Sequence, residues 1–218
     1  MKYKVNWRYV VGEILIVTVG ILIAFGINTL SSNLALRKNY KEFRLGLVTD
    51  LEQNIQNLER IITAQERKVK ELNVLIDNST KRNIALDSIG AILFRQRKSP
   101  TFFPISGTFK SLVSHGEIAL FETDLKRELF NLYDTNYERI VYNGNLYDNL
   151  YVEVYDQEIR DMMNIRTKEI DDVSRLTSRD FLKNMMLVVD EAESYLTLLR
   201  KNLLESQKIL AMIHTKET

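Results

Sequence analysis

Residues 48–76 read VTDLEQNIQNLERIITAQERKVKELNVLI, and their spacing decides the fold class. Val48, Ile55, Ile62, Val69 and Ile76 recur every seven residues. Leu51, Leu58, Gln65 and Leu72 each follow three residues after one of them. Alternating steps of three and four place such positions on one face of an α-helix. β-branched residues in one set and leucine in the other is the preference of a parallel two-stranded coiled coil. Leu47, Ile61 and Leu75 widen the stripe on one flank, and a stripe that broad packs against two or more neighbours. The stretch therefore predicts a long helix inside an intrachain bundle, with self-association as an addition.

Upstream of it, residues 10–27 read VVGEILIVTVGILIAFGI, with Glu13 as the one charge. At 1.5 Å per residue the run reaches roughly 27 Å, about the hydrocarbon thickness of a bilayer. It is too long for the apolar region of a cleaved signal peptide, and the small-residue cleavage pattern is poor around Asn33–Ala35. The expected organisation is a tail at 1–9, a transmembrane anchor at 10–30 and an extramembrane helical domain at 31–218. No proline or glycine-rich break separates anchor from heptads, so one continuous helix is expected. Lys2, Lys4 and Arg8 face Arg37, Lys38, Lys41 and Arg44 across the anchor, which nearly ties the positive-inside rule. A short N-terminal tail on a single anchor favours a signal-anchor in the inner membrane with the bulk of the chain periplasmic.

Within the anchor, Gly12, Ile16, Gly20, Ala24 and Asn28 recur every four residues. Gly20 and Ala24 are candidates for close helix packing in lipid. Glu13 is a candidate for the same packing or for a partner contact, because a carboxylate at the hydrocarbon edge must reach headgroups, take a proton or pair. Trp7 and Tyr9 fit an interfacial belt.

Formal net charge is +1, from 30 basic and 29 acidic residues in 218. That balance gives no basic excess for nucleic acid. Two prolines and eight glycines are few, as expected of long helices. Asp77-Asn78-Ser79-Thr80 reads as a stop and new N-cap. A shorter helix follows to about Gln96, with Ile84, Ile89, Ile92 and Leu93 inward. The segment RQRKSPTFFPISGTF, 95–109, is the one clearly irregular stretch. A short helix near 108–114 ends at His115-Gly116, where glycine suits a left-handed cap. Glu122-Thr123-Asp124 caps a long helix containing Leu125, Leu129, Leu132, Tyr133, Tyr137 and Ile140. Residues 166–175 form a polar loop, and Thr177 with Asp180 resembles a capping box. The last helix follows Leu182, Met185, Val189, Ala192, Leu196, Leu199, Leu203, Leu210 and Ile213. The expected fold is all-α: an N-terminal transmembrane helix continuous with an elongated antiparallel bundle of three long helices plus one or two short ones.

Two segments carry a resemblance to a known family. GEILIVTVGILIAFGIN, 12–28, and TFKSLVSHGEIALFETDLKRELFNLYD, 108–134, resemble the start and the central stretch of an uncharacterised family. Its members are small, N-terminally membrane-anchored helical proteins common in Bacteroidota, described as a domain of unknown function. The family often carries a tryptophan after the asparagine near the anchor's end, where this chain has Thr29-Leu30. The resemblance implies a helical envelope protein and brings no activity, cofactor or catalytic residue.

The residues agree with that. No cysteine is present, so thiol nucleophiles and thiolate metal sites are excluded. His115 and His214 have no paired ligand spacing, and neither GxGxxG nor GxxxxGK[ST] occurs. No catalytic, cofactor-binding or metal site is expected, and the chain is read as a non-enzyme. Tyr133, Tyr137, Tyr142, Tyr147, Tyr151 and Tyr155 crowd one helix, and tyrosine is enriched at interfaces. Tyr147, Tyr151 and Tyr155 are therefore candidates for a partner-binding face, against a half-buried row along the bundle. Phe102 and Phe103 are candidates for docking, since adjacent phenylalanines are costly to leave in water. The functional expectation is a scaffold or accessory subunit that binds another envelope protein or itself. The alternative is a ligand-binding sensory ectodomain, which a cavity between helices would favour.

Overall fold

Leu47, Leu51, Leu58, Ile61, Leu72 and Leu75 of the first helix are fully buried, and their four–three spacing is what holds that helix in the bundle. The computed structural model describes residues 7–81, 86–96 and 100–215. Lys2 and Lys4, the side chains of Trp7, Arg8 and Tyr9, and the predicted inward Ile84 lie outside the described residues. The chain divides into two units, Met1–Gly46 and Leu47–Thr218. Helix α1 spans Trp7–Thr80 without interruption. In the first unit it is long and apolar enough to cross a membrane.

Apart from an isolated antiparallel bridge between Met163 and Ile170, the regular secondary structure of the second unit is helical among its described residues. After α1 come two short helices, α2 (Leu86–Arg95) and α3 (Gly107–Ser114), and a 3₁₀ turn at Glu117–Leu120. A long helical run, α4, covers 123–162, and α5 spans Arg179–His214. Three long helices and two short ones are as the periodicity predicts. The capping box does not form at Thr177. Ser178 is the N-cap of α5, and its hydroxyl accepts the Phe181 backbone N–H.

The buried seam of α1 differs by one position from the predicted one. Positions 47, 51, 54, 58, 61, 65, 68, 72, 75 and 79 are buried, whereas Val48, Ile55 and Val69 are only half-buried. Ile62 and Ile76 of the predicted β-branched set are buried, so that set lies along the edge of the stripe, and the seam includes Asn54, Gln65 and Lys68. Helix α5 obeys the same rule through Phe181, Met185, Val188, Ala192, Tyr195, Leu199, Asn202, Ser206, Ile209 and Ile213.

Helix α4 keeps its seam by a different device. Its run contains two π-helical segments, Asn131–Tyr137 and Tyr151–Asp156. An α-helix turns about 100° per residue, so a row at i+4 spacing drifts about 40° per step. A π turn is wider and takes up one extra residue, which reverses the drift. Tyr133 and Tyr137, then Tyr151 and Tyr155, consequently all stay buried.

Gly116 closes α3 with φ +73°, the left-handed region. Gly116→Ala places a Cβ in that region and is expected to lower stability by about 1–2 kcal/mol. Thermal unfolding of the detergent-solubilised chain by circular dichroism checks this. Gly107→Ala, at an ordinary φ in open space, is the control expected to show no loss.

Candidate functional site

The polar residues of the α1 seam hold the irregular segment that follows α2. Asn54 Nδ2 donates to the Ile105 carbonyl at 2.8 Å, and Ile105 N–H donates to Asn54 Oδ1 at 2.7 Å. Gln65 Nε2 donates to the Pro100 carbonyl at 2.8 Å. Thr108 N–H donates to Asp50 Oδ2 at 3.0 Å. From the other helices, Tyr195 Oη accepts Phe102 N–H at 2.9 Å and Asp148 Oδ2 accepts Thr101 Oγ1 at 3.0 Å. A half-buried strap needs partners for its inward backbone groups, and here side chains of α1 and α5 bond those of Pro100, Phe102 and Ile105.

An aromatic cluster lies under the strap. Phe102 packs on Tyr137 with ring centroids 5.3 Å apart, and Tyr137 sits edge-on to Tyr133 at 5.2 Å. Tyr195 stacks on Tyr147 at 5.6 Å, and Tyr151 stacks on Tyr155 at 4.6 Å. Gly144 makes room for the first of these stacks, since a Cβ there would meet Tyr195 Oη at 3.0 Å. Three hydroxyls have buried partners: Tyr137 with Ser206 Oγ at 2.8 Å, Tyr155 donating to the Leu93 carbonyl at 2.8 Å, and Tyr147 donating to Gln65 Oε1 at 3.3 Å. Burial pushes the phenols of Tyr137 and Tyr195 up to about 12, and lifts those of Tyr133 and Tyr151 further.

Lys68 reaches into this cluster. It is 1% exposed, with Nζ 3.4 Å from the centroid of the Tyr151 ring and 5.3 Å from that of Tyr147. Its Nζ has no hydrogen-bond partner among the described residues. Desolvation pulls its pKa down to about 6, opposed by the charge of Asp148. Asp148 in turn is raised by burial, opposed by the Thr101 hydrogen bond and then by Lys68. Both shifts favour the neutral forms of the pair. On its outer side Lys68 forms part of a cleft of about 710 Å³ shared with Arg60, Ala64, Arg67, Arg95, Gln96 and Pro100. Glu71 accepts from Arg95 Nη2 at 3.3 Å and from Gln96 Nε2 at its edge.

The predicted site residues fall into three groups. Tyr147, Tyr151 and Tyr155 are 2%, 3% and 0% exposed, so they line the interior and the expected partner-binding face of tyrosines is corrected to a core. Phe102 is likewise buried in the chain's own core, while Phe103 is 60% exposed. The pair therefore divides, because successive side chains of an extended strap point to opposite sides. Glu13, Gly20 and Ala24 lie in the first unit, all exposed, and no atom lies within 4 Å of where a Gly20 Cβ would stand. Sequence reasoning missed Lys68, Asn54, Asp148 and the arginines of the cleft. Writing the heptad from Leu47 rather than Val48 puts Asn54, Ile61 and Lys68 in one seam position, and that polar pair was the available signal.

The chain belongs to a family of unknown function, DUF6090, whose sequence model matches residues 13–193. No curated protein and no solved structure matches the chain.

Proposed function

We propose that this chain is a single-pass, non-enzymatic membrane protein whose helical unit serves as a scaffold or accessory subunit. One observation carries the reading. Val11, Leu15, Ile16, Val17, Ile21, Leu22, Ile23, Phe25 and Ile27 are each more than half exposed on a single helix. An apolar surface of that extent is stable in water only when lipid or protein covers it. The bundle's interior polar groups support binding rather than catalysis, because Asn54, Gln65 and Asp148 are engaged in holding the strap. The proposed placement is the inner membrane with the second unit periplasmic and with a second copy or another envelope protein as partner.

The absence of native cysteine makes the test direct. Glu191→Cys puts a single thiol on the exposed face of α5. The protein is expected to stay in the pellet after alkaline carbonate washing and to react with a membrane-impermeant maleimide in intact spheroplasts. Release by carbonate overturns the anchor, and labelling only after lysis reverses the orientation. Crosslinking in native membranes, then purification in mild detergent, is expected to return a second copy or a stoichiometric envelope protein. Recovery of monomer alone overturns the accessory-subunit reading.

The cleft at Lys68 favours a second reading, a ligand-binding sensory unit on the same anchor.

A further inference from the structure

We propose that the cleft lined by Arg60, Arg67, Lys68 and Arg95 binds a small phosphate-bearing ligand. Three arginines and Lys68 line one depression whose volume suits a small molecule. The carboxylate beside it, Glu71, is engaged with Arg95 and Gln96. The guanidinium fork matches the oxygens of phosphate, and a phosphate monoester offers three terminal oxygens where a carboxylate offers two. Ala64 and Pro100 give the same cleft an apolar wall for the remainder of the ligand.

Lys68 is the second and independent observation. A buried Nζ with no hydrogen-bond partner among the described residues calls for a physical reason, and the cation–π contact with Tyr151 occupies only one side of it. An oxyanion in the cleft would supply the missing acceptor. Its negative charge would also restore the ammonium form that burial disfavours. Tyr147, Tyr151 and Asp148 of α4 act directly on Lys68, and Arg67 on its own helix and Arg95 and Gln96 at the end of α2 share the cleft with it. Among the described residues, Asp148 and Glu71 are the carboxylates that oppose an anion there, and Asp148 is tied to Thr101 as Glu71 is to Arg95 and Gln96.

The test is calorimetric titration of pyrophosphate into the full detergent-solubilised chain, at ionic strength matched with potassium chloride. Saturable binding is expected, weakened about tenfold or more in Lys68→Met and in Arg67→Gln, the loss of one charge-assisted bond. Lys70→Gln, an exposed cation outside the cleft, is expected to bind as the native chain does. Because Lys68→Met should be the more stable protein, lost binding there is not lost folding. A parallel titration uses phosphatidic acid in detergent micelles. Binding of that lipid with the same variant losses, and none of pyrophosphate, assigns the phosphate to a headgroup. Binding of pyrophosphate assigns it to a soluble ligand. No saturable binding of either, or binding undiminished in both variants, overturns the proposal. Citrate binding as tightly as pyrophosphate overturns the choice of phosphate.

Discussion

Lys68→Met is expected to raise the melting temperature of the detergent-solubilised chain at pH 7 by about 5–10 °C. The lysine is almost wholly buried among tyrosine rings, and its Nζ lacks a hydrogen-bond partner among the described residues. Methionine keeps the length and most of the volume of the stem, and removes the group that must be desolvated. Replacing buried charged groups by apolar ones of similar volume commonly stabilises by about 1–4 kcal/mol. In a protein of this size each kcal/mol moves the midpoint by about 2–4 °C. A fall in melting temperature would mean that the ammonium over the Tyr151 ring is a net stabilising contact, and would remove the premise that Lys68 is retained for binding.

The pH dependence gives the same prediction a second readout. Unfolded, Lys68 holds its proton up to the ordinary lysine value of 10.5, and folded only up to about 6. Between those values the unfolded chain binds more protons, so stability rises with pH. The penalty is complete below about pH 6 and gone above 10.5. Asp148 is raised in the folded state, so its contribution has the opposite slope and begins at the lower, carboxylate end of the scale. Melting scans from pH 6 to 9, compared between the native chain and Lys68→Met, isolate the lysine. The native chain is expected to gain stability across that range, and Lys68→Met is expected to lose most of the gain. Equal slopes in the two proteins would show that Lys68 keeps its proton in the folded state.

The same residue shows where sequence reading stops. The heptad of 48–76 established a broad helical stripe, and the three long helices were legible because each carries several turns of apolar period. The seam itself was not. Val48, Ile55 and Val69 have the better coiled-coil side chains, yet the helix turns them to the flank, where neighbouring elements half-cover them. The determinant is tertiary: the strap at 100–106 needs hydrogen bonds, and Asn54 and Gln65 supply them only if they face inward. The tyrosine row misled for a related reason. Spacing by four over 147–155 predicts drift toward solvent on an ideal α-helix, and the π segment that cancels the drift has no signature in the residues themselves. The cleft was illegible because its members come from α1, α2 and the strap, which only folding brings together.

Phe102→Ala is expected to lower stability by about 3–5 kcal/mol, and Phe103→Ala to change it by less than about 0.5 kcal/mol. Sequence treats the two phenylalanines alike, and the structure separates them by 60 percentage points of exposure, 0% against 60%. Phe102 fills the space over Tyr137, and its own N–H is held by Tyr195. Truncation leaves a cavity beneath a strap that has no regular secondary structure to limit its relaxation, while Tyr195, stacked on Tyr147 against Gly144, has little freedom to move into it. Tyr195→Phe separates the two contributions. It keeps the ring stack and leaves the Phe102 N–H without its acceptor, so its expected cost is about 1–3 kcal/mol. Chemical unfolding of the three variants beside the native chain measures all of this at once. The ordering Phe102→Ala, then Tyr195→Phe, then Phe103→Ala, from largest loss to smallest, is the expected result. Equal losses for Phe102→Ala and Phe103→Ala would mean that Phe103 is covered in the folded protein by a partner or a second copy, which places the docking surface at the outer side of the strap.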